Sequence, residues 1–158
     1  MYKTILVPHA GTPAGDEALK HAIHAAKGAS SSAKIIILHV VEEIQRPPTF
    51  GLAESEREKL LNSINDTNES IKTEMGKEME KRVQHCKENN VDAKTNIAVG
   101  DAAKIILDLV TQNNVDLVVM AKRRKLKGVK KLLSLGSVSR KVIENVNCPV
   151  MLIDIESL

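Results

Sequence analysis

Aromatic side chains are nearly absent: Tyr2 and Phe50 are the only two in 158 residues, and there is no tryptophan. A chain so poor in rings offers no stacking platform for the bases of a nucleic acid. Its core must be built from Ile, Leu, Val, Ala and Met, as is common where helices cover a buried parallel sheet. Long apolar runs are missing too. No segment reaches the roughly 18 apolar residues of a membrane span, and no apolar stretch follows a basic start as in a signal peptide, so a cytoplasmic location is expected. Cysteine is limited to Cys86 and Cys148, far apart and without a CxxC pair, which gives no metal or redox signature and no disulfide framework. Both are expected to be structural thiols. Acid is missing from one window: seven of the 23 Lys and Arg fall between Lys122 and Lys131 with no Asp or Glu among them, while elsewhere the 20 acids outnumber the bases. The basicity is local, which points to a local anion partner rather than a broad nucleic-acid or membrane face.

What is present reads as alternating strands and helices. The length suits one domain, residues 1–158, with a proper core. Tyr2 to Pro8 is expected to be a buried strand, stopped at Gly11 and handed to a helix with Thr12 at the N-cap, Pro13 at the first helical position and Asp16 and Glu17 in the first turn. Ala18, Leu19, Ala22, Ile23 and Ala26 give that helix one apolar face, and Gly28 ends it. Lys34 to Val41 is too continuously apolar for a half-exposed strand. Pro47, Pro48 and Gly51 mark a loop after it, placed to fold over a site near the strand ends. From Glu54 to Asn90, Leu61, Ile64, Asn68, Ile71, Met75, Met79, Val83 and Cys86 recur every three or four residues, the spacing of a helix, with an Asn-rich stretch and Gly76 as candidate interruptions. Asp92 to Val99 is a strand, Asp101 caps a helix that buries Ile105, Ile106, Leu109 and Val110, and Leu117 to Ala121 is the fourth strand. After the basic loop, Ser137 to Asn145 is a helix and Val150 to Ile153 a fifth strand. This pattern implies right-handed crossovers and a parallel sheet covered on both faces: a three-layer α/β/α sandwich, Rossmann-like, with strand order 3-2-1-4-5. Ligands in such sheets sit beyond the strand ends where the order reverses, here between the first and fourth strands.

That crevice gathers Pro8, His9, Ala10, Val40, Met120, Ala121 and the basic loop. The loop runs into Gly136-Ser137 and a helix N-terminus, whose unpaired N–H groups favour an anion such as a nucleotide phosphate. Three readings of the loop stand beside one another: a solvated surface, a phosphate contact, and a contact to RNA or DNA backbone. His21 and His24 lie three apart on the first helix without a third ligand nearby in sequence, so no metal is assigned. Neither a nucleophile–base arrangement nor a carboxylate pair stands out, and no catalytic residue is assigned.

The blocks ILVPHAGTPAGDEALKHA, ILHVVEE, VGDAAKIIL and GSVSRKVIENVNCPVMLI resemble, in that order, the universal stress protein family. The ATP-binding branch of that family carries a Gly-two-Gly-nine-Gly-Ser/Thr loop after the fourth strand and an Asp at the end of the first that holds the nucleotide. This chain departs from it: Ala121 and Arg124 stand for the first two glycines, eleven residues separate Arg124 from Gly136, and Ala10 stands for the Asp. Arg124 puts a long side chain where backbone approaches phosphate, and Ala10 removes an acceptor. The resemblance implies a non-enzymatic regulatory module of the stress response that binds an adenine nucleotide, ATP or AMP, with Mg2+ accompanying ATP. Gly136, Ser137, Val138 and Ser139 would then hold phosphate, Arg123 and Arg124 neutralise it by their forked donors, and Val40 and Met120 cover the base. It also implies a homodimer through the last strand, where Val150, Met151, Leu152 and Ile153 form an edge open to pairing. The second expectation is a dimeric interaction scaffold that has given up the nucleotide.

Overall fold

A computed structural model describes residues 2–28, 33–43, 47–122 and 136–154. The chain runs β1 (Thr4–Pro8), α1 (Pro13–Lys27), β2 (Lys34–Val41), α2 (Glu54–Glu88), β3 (Asp92–Val99), α3 (Ala102–Gln112), β4 (Leu117–Ala121), α4 (Ser137–Asn145) and β5 (Val150–Ile153). All four strand pairings are parallel and give one five-stranded sheet in the order β3-β2-β1-β4-β5. The expected three-layer α/β fold is therefore the fold of the protein.

Strand alternation divides the core. Ile5, Val7, Ile35, Ile37, Leu117 and Val119 pack beneath α1 and the C-terminal part of α2. Leu6, Ile36, Leu38, Val118 and Met120 point the other way, against α3 and α4. Because both faces are covered, the strands read as unbroken apolar runs. At the start of β1, the Asp116 carboxylate accepts from the Lys3 N–H at 2.7 Å and the Thr4 N–H at 3.0 Å, which pins the strand to the turn before β4.

The helices begin as their sequences require. The Thr12 hydroxyl accepts from the Gly15 N–H at 3.3 Å, and the Asp101 carboxylate from the Lys104 N–H at 2.8 Å. The candidate interruptions in α2 are absent, and 35 residues form one helix. A Cβ on Gly76 would meet open space, so this glycine costs only its propensity, about 1 kcal/mol, too little to break so long a helix. Only Met79, Val83 and Cys86 of α2 are buried. Its N-terminal half rises beyond the carboxyl ends of the strands, since a helix of this length spans about 50 Å at 1.5 Å per residue and an eight-residue strand about half that.

Candidate functional site at the carboxyl ends of the strands

The order reversal lies between β1 and β4, as expected, and α4 opens beside it. Gly136 is the N-cap of α4 and provides no side chain to bond the first turn. The N–H groups of Ser137, Val138 and Ser139 therefore have no intrahelical acceptor, and no side-chain cap among the described residues. Ser137 is exposed, Val138 half-buried and Ser139 buried. A cleft of about 320 Å³ lies where this helix end, the start of α3 and the segment after β2 meet; Ser137, Val138, Lys141, Asp101, Glu42 and Glu43 are among its lining residues. Hollows of about 500 and 680 Å³ run along α2 but are lined by residues of that helix alone. A groove on one helix has no second wall to enclose a ligand.

The structure sorts the sequence-predicted contacts by face. Val40, Met120 and Val138 pack with the apolar cluster on the α3/α4 side, the side of the cleft. Pro8, even-numbered like Leu6 along β1, belongs with that side by strand alternation, while Ala10 lies two residues beyond the end of β1 and is exposed. Ala121 packs against the opposite cluster, so its side chain is directed away from the cleft. Ser139 is 5% exposed and absent from the cleft lining, so its hydroxyl is not brought to the cleft with Ser137 and Val138. Arg123 and Arg124 lie outside the described residues.

His9 is the main correction. Expected among the residues of the crevice, it is 2% exposed and follows Ile5 and Val7 on the α1/α2 side. The Gly11 N–H donates to Nδ1 at 3.0 Å, which leaves the proton on Nε2 to donate to the Asp16 carboxylate at 3.0 Å. Arg82 completes the link from α2, its Nε donating to Asp16 at 2.9 Å and its Nη1 to the Glu78 carbonyl at 2.9 Å. The backbone of His9 is engaged as well, its N–H donating to the Leu38 carbonyl and its carbonyl accepting from Nδ1 of His39, both at 2.8 Å. Burial, and next the positive charge of Arg82, hold the imidazole below its ordinary pKa. A neutral, buried, fully bonded histidine ties β1, α1 and α2 together and has no face left for a ligand.

Sequence reading took Asp16 as a helix-start acid and missed this network. The available signal was Gly15: a Cβ there would lie 2.8 Å from the His9 ring, so a glycine inside a helix marked a close approach. The thiols fit a structural role. Cys86 is fully buried and burial raises it to about 11, while Cys148 is raised for the same main reason.

A parallel doubly wound sandwich with an open helix N-terminus at its switch point belongs to the broad class of Rossmann-like α/β proteins. The model of the universal stress protein family matches residues 1–154, and the chain belongs to that family. It is 31% identical over 153 residues to universal stress protein MJ0531 of Methanocaldococcus jannaschii, an alignment spanning 97% of this chain and 82% of the relative. It is 30% identical over 155 residues to universal stress protein YxiE of Bacillus subtilis, spanning 97% and 99% of the two chains. Among solved structures, hypothetical protein MJ0577 superposes with a TM-score of 0.79 at 25% identity over 100% of this chain and 99% of the other. An Arabidopsis thaliana family member with AMP bound has a TM-score of 0.60 at 21% identity, covering 98% and 93%. A universal stress protein in complex with cAMP has a TM-score of 0.59 at 21% identity, covering 97% of each chain.

Proposed function

We propose that this protein is a single-domain, cytoplasmic regulatory module of the stress response that binds an adenine nucleotide and does not turn it over. The observation that carries the reading is the first turn of α4, which has no side-chain cap among the described residues and lines a cleft near the order reversal of the sheet. Backbone N–H groups at such a helix start, together with the positive end of its dipole, favour a phosphate. In this reading Val40, which is half-buried, gives apolar cover for a base on the same side, Met120 backs it from the core at 4% exposure, and the basic residues from Lys122 to Lys131 add charge. Family members that hold AMP and cAMP on this fold support the ligand class. Contacts are assigned to Pro8, Ala10, Val40, Met120, Arg123, Arg124, Gly136, Ser137, Val138 and the N–H of Ser139, with Mg2+ accompanying ATP where that is the ligand.

Calorimetric titration with ATP, ADP and AMP, with and without Mg2+ and at two salt concentrations, tests this. Saturable binding that persists in salt, weakened about tenfold or more by Arg124→Ala through loss of a charged hydrogen bond, is the expected result. Binding untouched by Arg124→Ala and Ser137→Ala would contradict the assigned contacts.

A second reading rests on Ala10, Ala121 and Arg124 together and on the edge position of β5, which among the described residues pairs with β4 alone and keeps Val150, Met151, Leu152 and Ile153 half-buried. In it the protein is a homodimeric scaffold joined edge to edge through β5. Sedimentation as a dimer with no nucleotide heat would favour it; a monomer at micromolar concentration would exclude it.

A further inference from the structure

The N-terminal half of α2 carries an apolar stripe that the core does not use. Leu61, Ile64, Asn68 and Ile71 are half-buried and follow one another by three, four and three residues, the spacing of a helix that packs against another helix. The stripe meets the core only at Met75; Leu61, Ile64 and Ile71 belong to neither core cluster of the described residues. Lys59, Asp66, Glu69 and Lys77 fall on the other side of the helix by the same spacing and are exposed. One polar group interrupts the stripe. The Asn68 Oδ1 is shielded from water and accepts no hydrogen bond, the single buried side-chain nitrogen or oxygen among the described residues without a partner. Buried polar groups are almost always bonded, so this oxygen marks a partner from outside the chain. An asparagine amide both donates and accepts, and two copies facing each other across a two-fold axis satisfy one another. A lone asparagine in an apolar seam is also the device by which paired helices fix their register. The flanks allow self-pairing: Asn65 and Thr67 are uncharged, and Lys72 and Glu74 are of opposite sign, so no block of like charge meets itself.

We propose that α2 of a second copy of this chain occupies the stripe, Leu61, Ile64 and Ile71 of each copy packing against those of the other around a central pair of Asn68 side chains. The contact is isologous, the same patch on both partners. It is separate from the β5 edge and does not depend on nucleotide.

Two measurements on the full chain test it. In sedimentation at micromolar concentration, Ile64→Asp combined with Ile71→Asp is expected to halve the particle mass, since carboxylates buried without partners at a helix seam are strongly disfavoured. Both side chains lie outside the core clusters, so circular dichroism should show the fold intact. Pairing through β5 leaves the halving in place, taking a tetramer to a dimer instead of a dimer to a monomer. The second measurement keeps the native stripe: Asn68→Cys is expected to form an inter-chain disulfide under mild oxidation, because facing positions of a two-fold seam come within the roughly 4.4–6.8 Å between Cα atoms that a disulfide spans. Lys59→Cys, on the exposed side, should remain largely uncrosslinked under the same conditions. Equal masses for wild type and the double variant, or Asn68→Cys that crosslinks no faster than Lys59→Cys, would overturn the α2 contact.

Discussion

His9 illustrates how one side chain at a strand end is committed by its neighbours. Its ring accepts from Gly11, donates to Asp16, and lies under a glycine that allows α1 to approach. Asp16, Arg82 and His39 are the titratable and charged groups that act on it. Because its folded-state pKa is lowered, the unfolded chain takes up the proton first as pH falls. The associated stability is fully present above about pH 6.5, the ordinary imidazole value, and is lost as pH drops toward the folded-state value. Thermal melts should therefore show a midpoint that declines between pH 7 and 5. His9→Gln should be less stable at neutral pH but show a shallower decline; a slope identical to wild type would remove His9 as its source. The start of α4 shows no comparable commitment among the described residues: Ser137 and Val138 line a cleft, and no side chain there caps the first turn.

At the scale of elements, two glycines within helices carry opposite meanings. Gly15 faces the His9 ring, and a Cβ at 2.8 Å forces α1 outward or the ring off its partners; Gly15→Ala should destabilise by about 1–3 kcal/mol, as overpacking does. Gly76→Ala places its methyl in open space and should stabilise by about 0.4–1 kcal/mol through helix propensity and unfolded-state entropy. Chemical denaturation of the two variants checks both signs. The same contrast explains what was legible in the sequence. The strands were, because unbroken runs such as KIIILHVV admit few alternatives, and the starts of α1 and α3 were, because Thr12 and Asp101 are chemically suited to cap. The continuity of α2 was not, since a glycine's cost depends on what surrounds it. Nor was the facing of His9 and Ala121: an apolar run buried on both sides hides which parity looks toward the cleft.

For the whole molecule, topology brings together groups that lie far apart in the chain. The order β3-β2-β1-β4-β5 sets the end of β2, the start of α3 and the start of α4 around one cleft, joining Glu42 and Glu43 to Ser137 and Val138. Sequence reading reached the α4 side of that cleft through Gly136-Ser137, whereas its acidic lining residues were visible only once β2 and α4 were placed in space. Whether the phosphate of a nucleotide sits on α4 is read most directly from the backbone amides themselves. Nuclear magnetic resonance of nitrogen-labelled protein during addition of AMP should move the amide signals of Ser137, Val138 and Ser139 most, with smaller shifts at Val40, Glu42 and Glu43 and none along the exposed half of α2. Signals of Ser137 to Ser139 that stay in place at saturating AMP would contradict a phosphate site at this helix.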